Sequence, residues 1–233
     1  MAKLNLIPNF LGHSDPGLLA TAYRDVIWQL DEFIVESEKS ALAFLKAISH
    51  PIPQDDFVFH LMDKRLDPRD IPGFFKTCIA GKDIGLISDA GSPCLADPGS
   101  QMVEYALRNG VQVVPMAGLN SVSMALMASG FNGQQYRFFG YLPFDGAQRK
   151  KTFADITHGL KRGETQVFIE TPYRNKATIE ELTQRLDSEQ EMVVASDIST
   201  PNERIERRKL RQWTENIDYL HKVPAVFVLG KRR

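Results

Sequence analysis

The stretch in which side-chain type and spacing most directly imply chemistry is Leu86-Ile87-Ser88-Asp89-Ala90-Gly91-Ser92-Pro93-Cys94-Leu95-Ala96-Asp97-Pro98-Gly99. It follows a short apolar run and leads into an amphipathic one, so it reads as the turn at the carboxyl end of a parallel strand. Ligands of open α/β sheets bind there. Ala90, Gly91 and Ser92 are small enough to let a ligand approach the backbone, and Asp89 can accept hydrogen bonds from a cationic or hydroxyl-bearing ligand. A plain strand-to-helix turn accounts for Asp97 as N-cap, Pro98 at the first helical position and Gly99. It leaves Ser88 to Pro93 unexplained, and a small-molecule site is the reading that covers them.

Several other chemistries lack their residues. No two of the 16 glycines are separated by a single position, so the GxGxxG turn is missing, and no Gly-Lys is followed by Ser or Thr as a P-loop requires. HExxH is absent, and His13, His50, His60, His158 and His221 are scattered without ligand spacing, so no metal is expected. Cys78 and Cys94 form neither a CxxC pair nor a multi-cysteine zinc pattern, and are expected to be reduced and buried. No GxSxG elbow supports a hydrolase, although a dispersed Ser/His/Asp triad stays open.

The elements that must position the turn follow from periodicity. Strands are expected at Leu4–Ile7, Phe33–Val35, Phe57–His60, Ile84–Ile87 and Val111–Val114. Between them Leu18–Leu30 and Ser40–Ile48 carry helical spacing, the first with Leu19, Ala22, Tyr23, Val26, Ile27 and Leu30 on one face. The helix after Pro98 should end at Gly110, with Val103, Ala106 and Leu107 toward the sheet. Such alternation predicts a parallel sheet covered by helices. Beyond residue 117 the pattern changes to helices at Ser121–Ala128, Ala147–Leu160 and Asn175–Leu186, and strands at Arg137–Tyr141, Gln166–Ile169, Met192–Ser196 and Ala225–Leu229. Glu203–Leu210, apolar only at Ile205 and Leu210, suits an antiparallel edge strand. Two domains are expected, residues 1–116 and 117–233, dividing near Pro115-Met116-Ala117-Gly118.

Composition sets the outer limits. The chain has 233 residues, 43% hydrophobic and 24% charged, the profile of a globular protein able to bury its own cores. Its net charge of -1 argues against non-specific nucleic-acid binding by the whole surface. The halves differ, however: residues 1–116 hold 10 Lys+Arg against 15 Asp+Glu, net -5, and residues 117–233 hold 18 against 14, net +4. The first eight residues do not read as a signal peptide and no apolar run approaches the roughly 20 residues of a membrane span. A cytoplasmic protein without membrane contact is the expectation.

The run Ser88-Asp89-Ala90-Gly91-Ser92-Pro93 with Ala96-Asp97-Pro98-Gly99 resembles the Ser-Asp-Ala-Gly-Thr-Pro…Ser-Asp-Pro-Gly segment of the tetrapyrrole methylase superfamily. The branch it resembles contains the bacterial enzyme that modifies a ribose 2′-hydroxyl of small-subunit ribosomal RNA. Further matches occur in the same order: Val113-Val114-Pro115 then Gly118, Ala128-Ser129-Gly130, Phe139-Gly140-Tyr141-Leu142-Pro143, and Glu170-Thr171-Pro172-Tyr173-Arg174. Ile7-Pro8-Asn9 with Gly12 is similar to the family's Thr-Pro-Ile-Gly-Asn loop, and Val35-Glu36 falls where the family has Ala-Glu-Asp-Thr-Arg.

The resemblance covers nearly the whole chain. It implies a two-domain α/β methyltransferase, mainly parallel in its first sheet and mixed in its second, that holds S-adenosylmethionine in the cleft between the halves and forms a homodimer. It assigns Asp89, Ala90, Gly91, Ser92 and Leu95 to a first cofactor loop, Asn120 and Ser121 to a second contact, and Ile169, Pro224 and Ala225 to an adenine wall. Asn120 as an N-cap, Ser121 as a helix hydroxyl and Leu95 as a core residue remain equal alternatives. Asn9, Glu36 and Arg174 are substrate-side candidates, with a solvated Glu36 and an Arg174–Glu170 ion pair as competing readings.

The sequence departs from the family where substrate is chosen. Pro-Gly-Pro becomes Ala117-Gly118-Leu119, Ala-Glu-Asp-Thr-Arg becomes Val35-Glu36-Ser37-Glu38-Lys39, and Arg-Glu-Leu-Thr-Lys becomes Ser196-Asp197-Ile198-Ser199-Thr200. Three functions follow: methylation of RNA, methylation of a tetrapyrrole or other small molecule, and cofactor binding by a non-catalytic regulatory protein. The first gains from basic clusters at Arg149-Lys150-Lys151, Arg207-Arg208-Lys209 with Arg211, and Lys231-Arg232-Arg233. Solvated surface is the competing reading for each.

Overall fold

A computed structural model describes residues 2–12, 15–62 and 66–231. His13, Arg232 and Arg233 lie outside the described residues. By contacts the chain divides into two compact units, Met1–Asn120 and Ser121–Arg233.

The first unit is a five-stranded, wholly parallel sheet of β1 (Lys3–Ile7), β2 (Glu32–Val35), β3 (Val58–Leu61), β4 (Ile84–Ile87) and β5 (Gln112–Pro115), in the order β3-β2-β4-β1-β5. α1 (Thr21–Ile27), α2 (Glu38–Ala47), the short α3 (Ile71–Phe74) and α4 (Lys76–Ile79), and α5 (Ser100–Arg108) connect the strands. Alternating side chains serve two cores, as a sheet covered on both faces requires. Ile7, Phe33, Val35 and Ile87 pack with Ile27, Phe44 and Leu45 on one face. Leu4, Ile34, Ile84 and Leu86 pack with Phe75, Met102 and Ala106 on the other. Gly85 at the centre of β4 is required by close approach, because a Cβ there would lie 2.5 Å from Phe33 and 2.8 Å from Ile7.

The expected strands stand within one or two residues of those observed, while the helices need correction. Ala22 and Val26 are exposed on α1, a seven-residue helix preceded by a turn at Pro16–Leu18. On α5 the residue facing the core beside Ala106 is Met102, whereas Leu107 is 62% exposed. α5 also starts later than expected: Asp97 is not its N-cap but bonds the N–H groups of Cys94 and Gly99, closing a turn ahead of the helix. Gly110 ends α5 with φ +69°, where a side chain would be strained. No helix was expected where α3 and α4 stand, since four-residue helices carry too little periodicity to be read.

The second unit is a mixed sheet of β6 (Tyr136–Tyr141), β7 (Thr165–Ile169), β8 (Glu191–Ser196), β9 (Arg204–Lys209) and β10 (Ala225–Gly230), in the order β6-β7-β10-β8-β9. Only β6 and β7 run parallel. α6 (Ser121–Ser129), α7 (Gly146–Lys161) and α8 (Asn175–Arg185) complete it. Phe153, Ile156 and Leu160 of α7 and Ile179 and Leu182 of α8 meet Phe168, Val194 and Phe227 in one core. β9 is the antiparallel edge strand expected from its charged sequence. Among the described residues no helix is long and apolar enough to cross a membrane.

Candidate functional site

Four carboxyl-end segments of the parallel sheet meet around the turn after β4. Asn9, two residues past β1, forms an isolated antiparallel bridge with Gly91, through Asn9 N–H to Gly91 O at 2.9 Å and Gly91 N–H to Asn9 O at 3.2 Å. The Asn9 side-chain amide donates to the carbonyls of Ser88 (3.0 Å) and Asp89 (3.2 Å). Ser40 Oγ in the first turn of α2 donates to the same Asp89 carbonyl at 3.2 Å. Glu36, just after β2, accepts the Asp89 N–H at 2.9 Å. After β5, Leu119 O accepts from Ser92 Oγ at 3.1 Å. Gly118 lies against Pro8 so closely that a Cβ would sit 2.2 Å from the proline ring.

Both backbone polar groups of Asp89 are therefore held, while its carboxylate is exposed and makes no hydrogen bond among the described residues. Ala90 is exposed beside it and Gly91 is buried. Gly91 has φ +70°, and a Cβ would reach 3.3 Å from Leu11 and 3.4 Å from Leu119 O, so a side chain meets both strain and crowding. Cys94 and Ala96 also have positive φ, 69° and 70°. Non-glycine residues held in that region store about 1–3 kcal/mol each, which persists where the surroundings over-determine the loop. Leu95 between them is 54% exposed, so it is not a core leucine.

The electrostatics match a rigid, non-nucleophilic loop. Burial pushes the Glu36 carboxyl above its ordinary range, and the Asp97 and Asp89 charges add to that, against the pull of the Asp89 N–H. Burial and Asp97 push the Cys94 thiol up to about 11, which leaves it protonated and inert near neutral pH. Asp97 is itself raised by burial, against its bonds from Gly99 and Cys94. Among the described residues no group of three His, Cys, Asp or Glu side chains is gathered as a metal site.

Of the substrate-side candidates, Asn9 and Glu36 both contact the loop backbone, a role the sequence reading did not assign them. Ser40 was missed altogether, because nothing in its spacing separates it from an ordinary helix serine. Asn120 and Ser121 lie where β5 leads into α6, with Asn120 directly before the helix.

In the second unit Ile169 ends β7 opposite Val226, Ala225 pairs with Ser196, and Pro224 O accepts the Asp197 N–H at 3.0 Å. The adenine-wall candidates Ile169, Pro224 and Ala225 thus share one end of the mixed sheet. Arg174 is at that end too. Its Nε is 3.9 Å from Glu170, and its guanidinium lies 4.3 Å over the Phe144 ring. The principal partner of buried Glu170 is Arg149 at 3.1 Å, joined by Thr178 at 3.0 Å.

The basic clusters are mostly committed. Arg149 is buried and divided between Glu170 and Glu181, so it is structural rather than a surface cation. On β9, Arg204 and Arg208 both pair with Glu206, Arg207 with Glu191 and Lys209 with Glu189, which Arg211 in the turn just beyond β9 also meets.

Comparison with known proteins places these features in a lineage. Residues 11–214 match the model of the Tetrapyrrole (Corrin/Porphyrin) Methylases. The chain is 30% identical over 220 residues to a ribosomal RNA small subunit methyltransferase I of Leptospira borgpetersenii, covering 93% of this chain and 84% of that protein. It is 32% identical over 154 residues to a protein of the same name from Streptococcus pyogenes serotype M6, covering 66% of this chain. There the match spans about half of the relative's length, 51%. A crystal structure of the methyltransferase CobJ superposes with a TM-score of 0.68 at 14% identity, covering 99% of this chain and 95% of that one, a likeness of fold.

Proposed function

Because the chain belongs to the tetrapyrrole (corrin/porphyrin) methylase family, we propose that it is an S-adenosylmethionine-dependent methyltransferase whose acceptor is RNA, at a ribose 2′-hydroxyl of small-subunit ribosomal RNA. The observation that carries this reading is the 30% identity to a ribosomal RNA small subunit methyltransferase I over 93% of the chain. A tetrapyrrole acceptor has less support, since a cobalt precorrin-4 methyltransferase is similar at only 17% identity, a likeness of fold alone.

The loop fits the cofactor. Its small residues bring backbone within reach of a ligand, and the free Asp89 carboxylate suits the hydroxyl and ammonium groups of an amino-acid nucleoside. S-adenosylmethionine, when bound, supplies a methyl group on a good sulfonium leaving group. Asp89 would accept hydrogen bonds from it, exposed Ala90 would present backbone, buried Gly91 keeps the turn tight beneath it, and Leu95 would add apolar surface. Asn9, Ser40 and Glu36 fix the loop before ligand arrives, so binding spends little on ordering it. They are positioning residues here. Asn120, Ser121, Ile169, Pro224 and Ala225 complete the proposed cofactor contacts, and Arg174 serves the acceptor. A homodimer and a cytoplasmic location, where ribosomal RNA is met, complete the proposal.

The test is transfer of labelled methyl from S-adenosylmethionine to small-subunit RNA from a strain lacking the protein, followed by mass mapping. The proposal expects one new 2′-O-methyl nucleotide that the deletion strain lacks. Cofactor binding with transfer to a tetrapyrrole alone, or with no transfer to RNA, overturns the RNA assignment. Velocity sedimentation of the purified chain tests the dimer.

A further inference from the structure

One end of the mixed sheet carries aromatic rings that the first unit's loop does not offer. Phe144 follows β6 and is 71% exposed, and Tyr173 follows β7 and is 72% exposed. Each ring has a cation against it: the Arg174 guanidinium lies 4.3 Å over Phe144, and Lys222 Nζ lies 5.6 Å over Tyr173. Burial does not explain these rings, since large aromatics left this exposed forgo the burial that ordinarily stabilises them.

The frame beneath them is rigid. Pro172 O accepts the Lys222 N–H at 3.2 Å, and the buried Asn175 side chain donates to Leu220 O (3.0 Å) and Val223 O (2.8 Å), binding the two loops together. Glu170, at the base of the same loop, is fixed by Arg149, Thr178 and the Thr171 N–H. Arg174 is only loosely paired: its side chain is 28% exposed and its carboxylate contact is 3.9 Å, while its Nη1 is buried and has no hydrogen-bond partner among the described residues. The cations of β9 differ, because each has a carboxylate partner.

We propose that Phe144 and Tyr173 form a stacking platform for unpaired bases of the acceptor RNA, with Lys222 and Arg174 meeting the flanking phosphates. The inference rests on the RNA reading above and deepens it. Exposed rings flanked by cations are the combination that holds single-stranded nucleic acid, because every base has a face to stack and every nucleotide a charge to neutralise. Bases inside a duplex are stacked on one another and closed to such a platform, so the platform selects unpaired nucleotides.

The experiment measures binding of the full-length protein to a single-stranded oligoribonucleotide and to the same sequence as a duplex, together with calorimetry for S-adenosylmethionine. Phe144→Ala and Tyr173→Ala should each weaken single-strand binding by about 5- to 100-fold, with Phe144→Tyr and Tyr173→Phe near wild type and cofactor affinity unchanged in all four. Lys222→Ala should lower the slope of log affinity against log salt by about 0.7. Wild-type RNA methylation with unaltered binding in both alanine variants would overturn the platform and leave the proposed function standing. Loss of cofactor affinity in those variants would overturn it by assigning the rings to the cofactor. Failure of the wild-type protein to methylate RNA would remove both.

Discussion

The two units solve the same problem, holding a loop at the end of a sheet, by different means. In the first, short polar side chains from neighbouring strand ends grip one backbone: Asn9, Ser40 and Glu36 all bond Asp89. In the second, a buried ion network of Arg149 with Glu170, Glu181 and Thr178 stiffens the scaffold, and the loops above it display exposed rings. Under the proposed function the contrast separates two jobs. A backbone that must fit a compact ligand needs every peptide fixed, whereas a surface that meets a large polymer needs a firm base and reachable side chains.

Changes that separate the two devices test this contrast. The largest stability effect belongs to the second unit: Arg149→Ala leaves Glu170 buried without its main partner and should destabilise the protein by about 3–5 kcal/mol, seen as a lower midpoint in urea. A loss below 1 kcal/mol would mean the network is not what stiffens that unit. In the first unit, Gly91→Val forces a β-branched side chain to φ +70° against Leu11 and Leu119. Cofactor affinity should fall at least a hundredfold, read by calorimetry on protein whose circular dichroism stays native. Asn9→Ala removes the bond to two carbonyls and should weaken cofactor binding about tenfold, within the 1–3 kcal/mol of an unsatisfied buried group. If affinity holds, Asn9 is not part of the grip.

The smallest effect is a pH dependence. The Glu36 carboxyl is raised above its ordinary 4.5 by burial, so its protonated form is favoured in the folded state. Its contribution to stability is fully present below 4.5 and is lost as pH rises through the folded value. The difference in stability between wild type and Glu36→Gln should therefore change over that window and be flat above it. A difference independent of pH would assign Glu36 a purely steric role.

The strands were legible because buried apolar runs such as Ile84–Ile87 and Val226–Leu229 have no alternative to a covered sheet. Helix faces were less so. α1 spans only seven residues and buries Ile27 while Ala22 and Val26 face solvent, and on α5 Met102 rather than Leu107 lies in the core with Ala106. The loop itself was readable from its small residues and Asp89. What holds it was not, because Asn9 comes from the segment after β1 and Glu36 and Ser40 from the segment running from β2 into α2, and only the order β2-β4-β1 brings them to Asp89. Likewise Arg149 in an Arg-Lys-Lys run looks like surface until Glu170 and Glu181 are seen beside it.

The most direct test of the central claim, that the Asp89–Ser92 loop is a preformed cofactor site, is calorimetric titration of the wild-type protein with S-adenosylmethionine alongside Gly91→Val. The account predicts saturable one-site binding to the wild type that the variant loses while keeping its fold. Absence of binding to the wild type at millimolar ligand, or equal affinity in the two proteins, would contradict it.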